Sequence, residues 1–188
     1  GIERGAAWWL RKARSIGPDA GRWAEAMLEQ RGIPGVRVLI ASIDQQATRF
    51  EVAVWGFGEN FRAWLVDRFA VLTINRDGRP EPLRPFTRPE DWAVIHTYVM
   101  QQTYPMAGAP HLQMKLFNTA VDTGGLDNAT DNAFAWWHSM VSGDTASGRL
   151  PLPSTAITLI KGGNNPRARL LPPPTIDTKR QIRGAPQA

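Results

Sequence analysis

The chain contains no cysteine. That excludes disulfides, cysteine-ligated zinc and a thiol nucleophile, and it leaves the compartment open. No apolar run approaches the ~18 residues that a membrane span requires. The N-terminal stretch GIERGAAWWLRKARS has too short an apolar core for a signal peptide. Histidine is scarce, with three in the chain. His96 stands beside an apolar helical stripe and reads as a packing or surface residue rather than a ligand. There is no phosphate-binding glycine loop, no dinucleotide fingerprint, no HExxH and no nucleophile elbow. No internal repeat is visible.

What is present is ordinary in amount and basic in balance. A length of 188 residues makes one domain the default. The hydrophobic fraction is 43%, and eight tryptophans supply large packing surfaces. The net charge is +5, with a sequence pI of about 10.2, which favours a polyanionic partner.

The segment Val36–Phe69 organises the chain. Val36–Ile43 is a nearly unbroken apolar run ended by Asp44, the pattern of a strand buried on both faces. Arg49–Gly56 alternates, with Phe50, Val52, Val54 and Gly56 on one face. Gly56 and Gly58 flank Phe57 in a turn suited to positive φ. Ala63–Phe69 reads as a third strand of an antiparallel meander. Asp67 in that strand reads as a structural acid.

Upstream, Pro18-Asp19 opens a helix over Ala20–Arg31, stopped by Gly32. Downstream, Asn75–Pro85 is an irregular, proline-rich link. Thr87 and Glu90 form a capping-box pattern for a helix over Arg88–Thr103, with Trp92, Ile95 and Val99 facing the sheet. Tyr104–His111 breaks that helix. Leu112–Val121 is a fourth strand, again ended by a carboxylate, Asp122, and followed by Thr123-Gly124-Gly125. A helix follows, capped by Asp127 or Asn128, with Trp136, Trp137 and Met140 on its apolar side. Ala156–Ile160 is a fifth strand. Residues 164–188 form a basic extended tail without amphipathic period. The boundaries predicted are an N-terminal arm and helix over 1–32, a folded domain over 33–163, and the tail.

The order β-β-β-α-β-α-β predicts an α/β, ribonuclease-H-like mixed five-stranded sheet with flanking helices. In that order the first and fourth strands are parallel neighbours, so Asp44 and Asp122 share one sheet edge. Paired carboxylates either shift a pKa or hold a cation, and hard oxygen ligands suit Mg²⁺ or Mn²⁺. A two-metal site, with ions roughly 3.5–4 Å apart, cleaves phosphodiesters. Each aspartate taken singly reads more readily as a turn former, and it is the pairing that points to a metal. Lys161, Arg167, Arg169, Lys179 and Arg180 are the candidate phosphate contacts. Three alternatives stand beside this reading: another nuclease or resolvase of the same fold, a non-catalytic DNA-binding module, and an actin-like ATPase half-domain. The last wants a glycine turn between its first two strands, where this chain has Gln45-Gln46-Ala47-Thr48.

The stretch IDQQATRFEVAVWGFGENFRAWLVDR, Ile43 to Arg68, resembles the nuclease domain of tailed-phage terminase large subunits of the lambda type. That group shows D-x-Q-x-x-R-[FY]-E, then V-x-G-[WF]-G and W-L-[IV]-D. VDTGGLD, Val121–Asp127, and LIKGG, Leu159–Gly163, resemble later pieces of it in the right order. The resemblance implies an endonuclease that cuts concatemeric viral DNA with divalent metal, with Asp44 and Asp122 as the first two acids. It implies double-stranded DNA, a packaging ATPase domain, a small terminase subunit and a portal as partners, no membrane, and the host bacterium's cytoplasm as location. The group carries a third acid on a later helix, in a stretch similar to E-A-L-D. The tail here has one acid, Asp177, in a non-helical setting.

Overall fold

The computed structural model describes residues 2–3, 22, 32–125, 128–144 and 148–162. Strand β1, Ile2–Glu3, pairs antiparallel with a later strand at Ala70 and Val71. The expected helix over 20–31 lies outside the described residues apart from Arg22, as does the tail from residue 163 onward.

The meander forms as β2, Val38–Gln46, β3, Arg49–Phe57, and β4, Ala63–Val71. β2 is longer than its apolar run, because Asp44, Gln45 and Gln46 continue the ladder as far as a two-residue turn, Ala47-Thr48. Asp44 therefore lies within the strand, two residues before its end. Burial along β2 alternates, with Leu39, Ala41 and Ile43 buried and Val38, Ile40 and Ser42 partly covered. The strand is not buried equally on both faces, as the unbroken apolar run had implied.

The turn after β3 also differs from expectation. Gly58 is extended, with φ −132, and the left-handed residues are Asn60 and Phe61. Glycine is required at position 58 for proximity: a Cβ there would lie 2.3 Å from the Gly35 carbonyl oxygen.

The proline-rich link is a hairpin, β5, Thr73–Arg76, and β6, Arg79–Pro82. Asp77 and Gly78 both have positive φ, 50 and 80, as a primed hairpin turn demands. The crossover helix is shorter than predicted. A 3-10 turn, Pro89–Trp92, leads into one α-helical turn, α1, Ala93–Ile95, and then a π-helical turn, His96–Met100. Thr87 does not cap it, since its hydroxyl donates back to the Arg84 carbonyl. Trp92, Ile95 and Val99 are fully buried, as their spacing predicted. The segment read as a helix break is strand β7, Thr103–Met106, turning at Gly108 into the long β8, Ala109–Asp122. The Tyr104 hydroxyl donates to Asp67 Oδ2 at 3.1 Å. Helix α2, Ala129–Ser142, begins at Asn128, which caps with a left-handed backbone and no side-chain hydrogen bond. Asp127 lies outside the described residues. Strand β9, Ile157–Ile160, closes the described fold.

The main sheet has the order β1-β4-β3-β2-β8, and both β7 and β9 pair with β8. β2 and β8 are parallel, as are β8 and β9, so the sheet is mixed, with ribonuclease-H-like strand order. One face carries the core. Trp92 stands edge-on to Phe50, with ring centroids 5.2 Å apart, and lies 5.8 Å from Trp136 of α2. Its indole N–H donates to the Pro85 carbonyl, and Asn132 donates to Pro85 and Phe86.

His96 sits at the edge of this layer. Burial, and then the positive charge of Arg149, hold its imidazole below the ordinary value of 6.5. The folded state thus disfavours the charged ring. Its stabilising contribution is complete above the unfolded value and is lost as pH falls from there through the lower folded value. Urea unfolding between about pH 7 and 5 should therefore show a shallower loss of stability in a His96→Gln variant than in the parent chain. Parallel pH dependences in the two proteins would refute this assignment.

Candidate active site

In the parallel pair, Ser42 lies abreast of Ala120 and Ile43 abreast of Val121. Asp44 and Asp122 are the next residue on each strand. Ile43 and Val121 both enter the core, so the two aspartates point to the opposite face, by the alternation of a pleated strand. Neighbouring strands lie about 4.8 Å apart. The register thus brings the two acids together at one end of the sheet, Asp44 exposed and Asp122 half-buried.

Each carboxylate is tied by one oxygen. Gln46 Nε2 donates to Asp44 Oδ2 at 2.6 Å. The Gly124 amide donates to Asp122 Oδ1 at 2.8 Å, which closes the turn that leaves β8. On the other side of Asp44, directly across the hairpin, stands Glu51. Asp122, Asp44 and Glu51 therefore form a row across three adjacent strands. Glu51 is engaged by Arg49 through Nε at 2.6 Å. Among the described residues, no three histidine or acidic side chains converge as a metal cluster.

Lys161 is exposed and directly follows Ile160, the partner of Asp122 on β9, so it stands at the same sheet end. Arg167, Arg169, Lys179 and Arg180 lie outside the described residues. His111 is near the start of β8, at the other end of the strand from Asp122.

A family model described as the endonuclease domain of the terminase large subunit gpA matches residues 5–186. The chain belongs to this family. A curated relative, the terminase large subunit of Escherichia phage lambda, is 33% identical over 92 residues, which cover 49% of this chain. The matched part is 12% of that relative's length. No solved structure matches the chain.

For a terminase endonuclease domain, the donor set at this sheet end is chemically apt. Its acidic groups offer carboxylate oxygens, which are hard ligands suited to Mg²⁺ or Mn²⁺ and poorly suited to soft metals. Asp44 and Asp122 each have one oxygen engaged by a neutral N–H donor, and neither takes part in an ion pair among the described residues. Gln46 and Glu51 stand in the sequence as the Q and E of the D-x-Q-x-x-R-[FY]-E pattern, but that pattern alone assigns neither a place beside Asp44. Both could have been found by hairpin arithmetic: a two-residue turn at 47–48 pairs 46 with 49 and 44 with 51.

Proposed function

We propose that this terminase domain is a metal-dependent DNA endonuclease that cuts concatemeric viral DNA during packaging. The observation that carries the reading is the β2–β8 register, which sets Asp44 beside Asp122 on a rigid sheet edge. Asp44 and Asp122 would hold Mg²⁺ or Mn²⁺ between them. An ion held there would supply water activation and charge stabilisation at the leaving oxygen. The protein's part is to hold two carboxylates in fixed relation and to keep a polyanion over them. Double-stranded DNA is the substrate in this reading, and a packaging ATPase domain, a small terminase subunit and a portal are the partners. The site of action is the host bacterium's cytoplasm. No helix among the described residues is long and apolar enough to cross a membrane.

Incubation of the chain with linear duplex and Mn²⁺ tests the activity. Divalent-dependent cuts that disappear with EDTA support it. Binding without cleavage would leave a DNA-binding module instead.

Lys161, Arg167, Arg169, Lys179 and Arg180 supply the cationic surface in this proposal. Contacts to phosphate carry no base information and release counterions, so binding should be sequence-independent and steeply salt-sensitive. Replacing Arg167, Arg169, Lys179 and Arg180 together by glutamine should weaken duplex binding at low salt. The log–log salt slope should flatten by up to about one unit per lost phosphate contact. Fluorescence anisotropy across a salt series reads this directly, and an unaltered slope would show that the tail does not carry DNA.

A further inference from the structure

We propose that Gln46 is a positioning residue for cation binding at Asp44. The inference rests on the reading of Asp44 and Asp122 as a cation-binding pair and extends it to a residue that hydrogen-bonds one of the two. Asp44 is exposed, and a short side chain at a solvent boundary samples several rotamers that binding must then select. Gln46 restricts that choice. It lies two residues further along β2, hence on the same face, and its Nε2 donates to Asp44 Oδ2 at 2.6 Å. A hydrogen bond to an ionised acceptor is stronger than a neutral one.

The neighbouring glutamine cannot take this role. Gln45 points to the covered face, where it is buried and neither amide atom has a hydrogen-bond partner. The choice of donor also matters. An amide is neutral, so it fixes the carboxylate without cancelling the charge that attracts a cation. Across the hairpin, the positively charged group abreast of Gln46 is Arg49, and it is engaged with Glu51, not with Asp44. The arrangement commits Oδ2 to the protein and keeps the negative charge of Asp44 available at the edge it shares with Asp122. Groups that orient a metal ligand in this way typically change metal affinity or activity about 10–100-fold when removed.

The test is a Mn²⁺ titration, by calorimetry and by electron paramagnetic resonance of free Mn²⁺, on the whole chain and three variants. Asp44→Asn reports on the site itself. Gln46→Met removes the donor at similar length, and Gln46→Ala checks that the effect is not due to the bulk of methionine. The expected result is a loss of affinity of about tenfold in both Gln46 variants, with unchanged melting temperature, since Gln46 contributes little to the core. Duplex cleavage by both should return close to the parent rate at saturating Mn²⁺, whereas Asp44→Asn should stay impaired. Loss of binding in Asp44→Asn with parent-like affinity in both Gln46 variants would overturn this proposal and leave the site reading standing. Parent-like binding in Asp44→Asn, or no binding by the parent chain, would overturn the site reading and this proposal with it.

Discussion

An Asp44→Asn chain should lose about 10²–10³-fold of its Mn²⁺-dependent duplex cleavage while remaining folded. The substitution keeps shape and removes one negative charge. Asp44 is exposed on the sheet face away from the core, so no packing is lost. A metal-held charge at the reacting phosphate stabilises the transition state by several kcal/mol, and about 3–4 kcal/mol corresponds to that range of rate. Asp122→Asn should cost a similar factor. Asparagine at 122 retains an oxygen that can accept the Gly124 amide, so the turn after β8 should survive. The double variant should be little worse than either single one, because residues that act as a unit are not additive. Single-turnover cleavage of linear duplex measures the rates. Paramagnetic broadening by Mn²⁺, centred on Asp44 and Asp122 in the parent and lost in both variants, locates the ion. Broadening centred on His96 or His111 would move the site elsewhere. A rate for Asp44→Asn within threefold of the parent would end the proposed role of this residue.

Much of the site was legible because it depends on two local facts and one topological rule. Each acid follows a segment that reads as a strand, Val36–Ile43 and Leu112–Val121, and strands joined by a crossover helix run parallel. The β2–β8 pairing then sets the residues abreast. What escaped was governed by turns. Asp77-Gly78 is a strong hairpin signal, yet prolines at 80 and 82 made the stretch read as irregular. Proline is tolerated here because β5 and β6 pair only with each other, outside the main sheet. The β7–β8 turn at Gly108 was missed for a related reason, with Pro105 and Pro110 masking a strand pair at the sheet margin. The helix over 88–103 was overextended because the apolar spacing of Trp92, Ile95 and Val99 fits an α-helix. The chain instead widens to a π-helical turn at His96–Met100 and enters β7 at Thr103. The phosphate contacts proposed for residues 164–188 are legible only as composition, since charge without period names no position in a fold.

Asp91 should be the most consequential acid for stability, although it has no place in the chemistry. It is fully buried at the start of the crossover helix. The Arg76 guanidinium pairs with its Oδ1, and the Arg84 backbone amide donates to its Oδ2 at 2.6 Å. Arg76 also reaches Glu81 and Glu90, at 3.4 and 3.7 Å. One carboxylate thus ties the β5–β6 hairpin, the segment after it and the helix that carries Trp92. Trp92 in turn covers Phe50, the neighbour of Glu51 on β3. Removing Asp91 deprives the Arg84 amide of its acceptor and leaves the quarter-exposed Arg76 with only its longer contacts to Glu81 and Glu90, which costs about 3 kcal/mol, the lower end for breaking a buried pair. Asp91→Ala is therefore expected to lower stability by about that amount, and the melting temperature by on the order of 10 °C for a chain of this size. Asp91→Asn keeps an acceptor for the Arg84 amide and should fall in between. A double variant, Asp91→Leu with Arg76→Met, removes both charges and should recover part of the loss, since a buried pair exchanged for apolar groups is often neutral. Urea unfolding followed by tryptophan fluorescence is the measurement, because Trp92 sits on the affected helix. A change below about 1 kcal/mol in Asp91→Ala would place this ion pair among those that contribute little, and the hairpin would then be held by its own turn and by Leu83, which is fully buried.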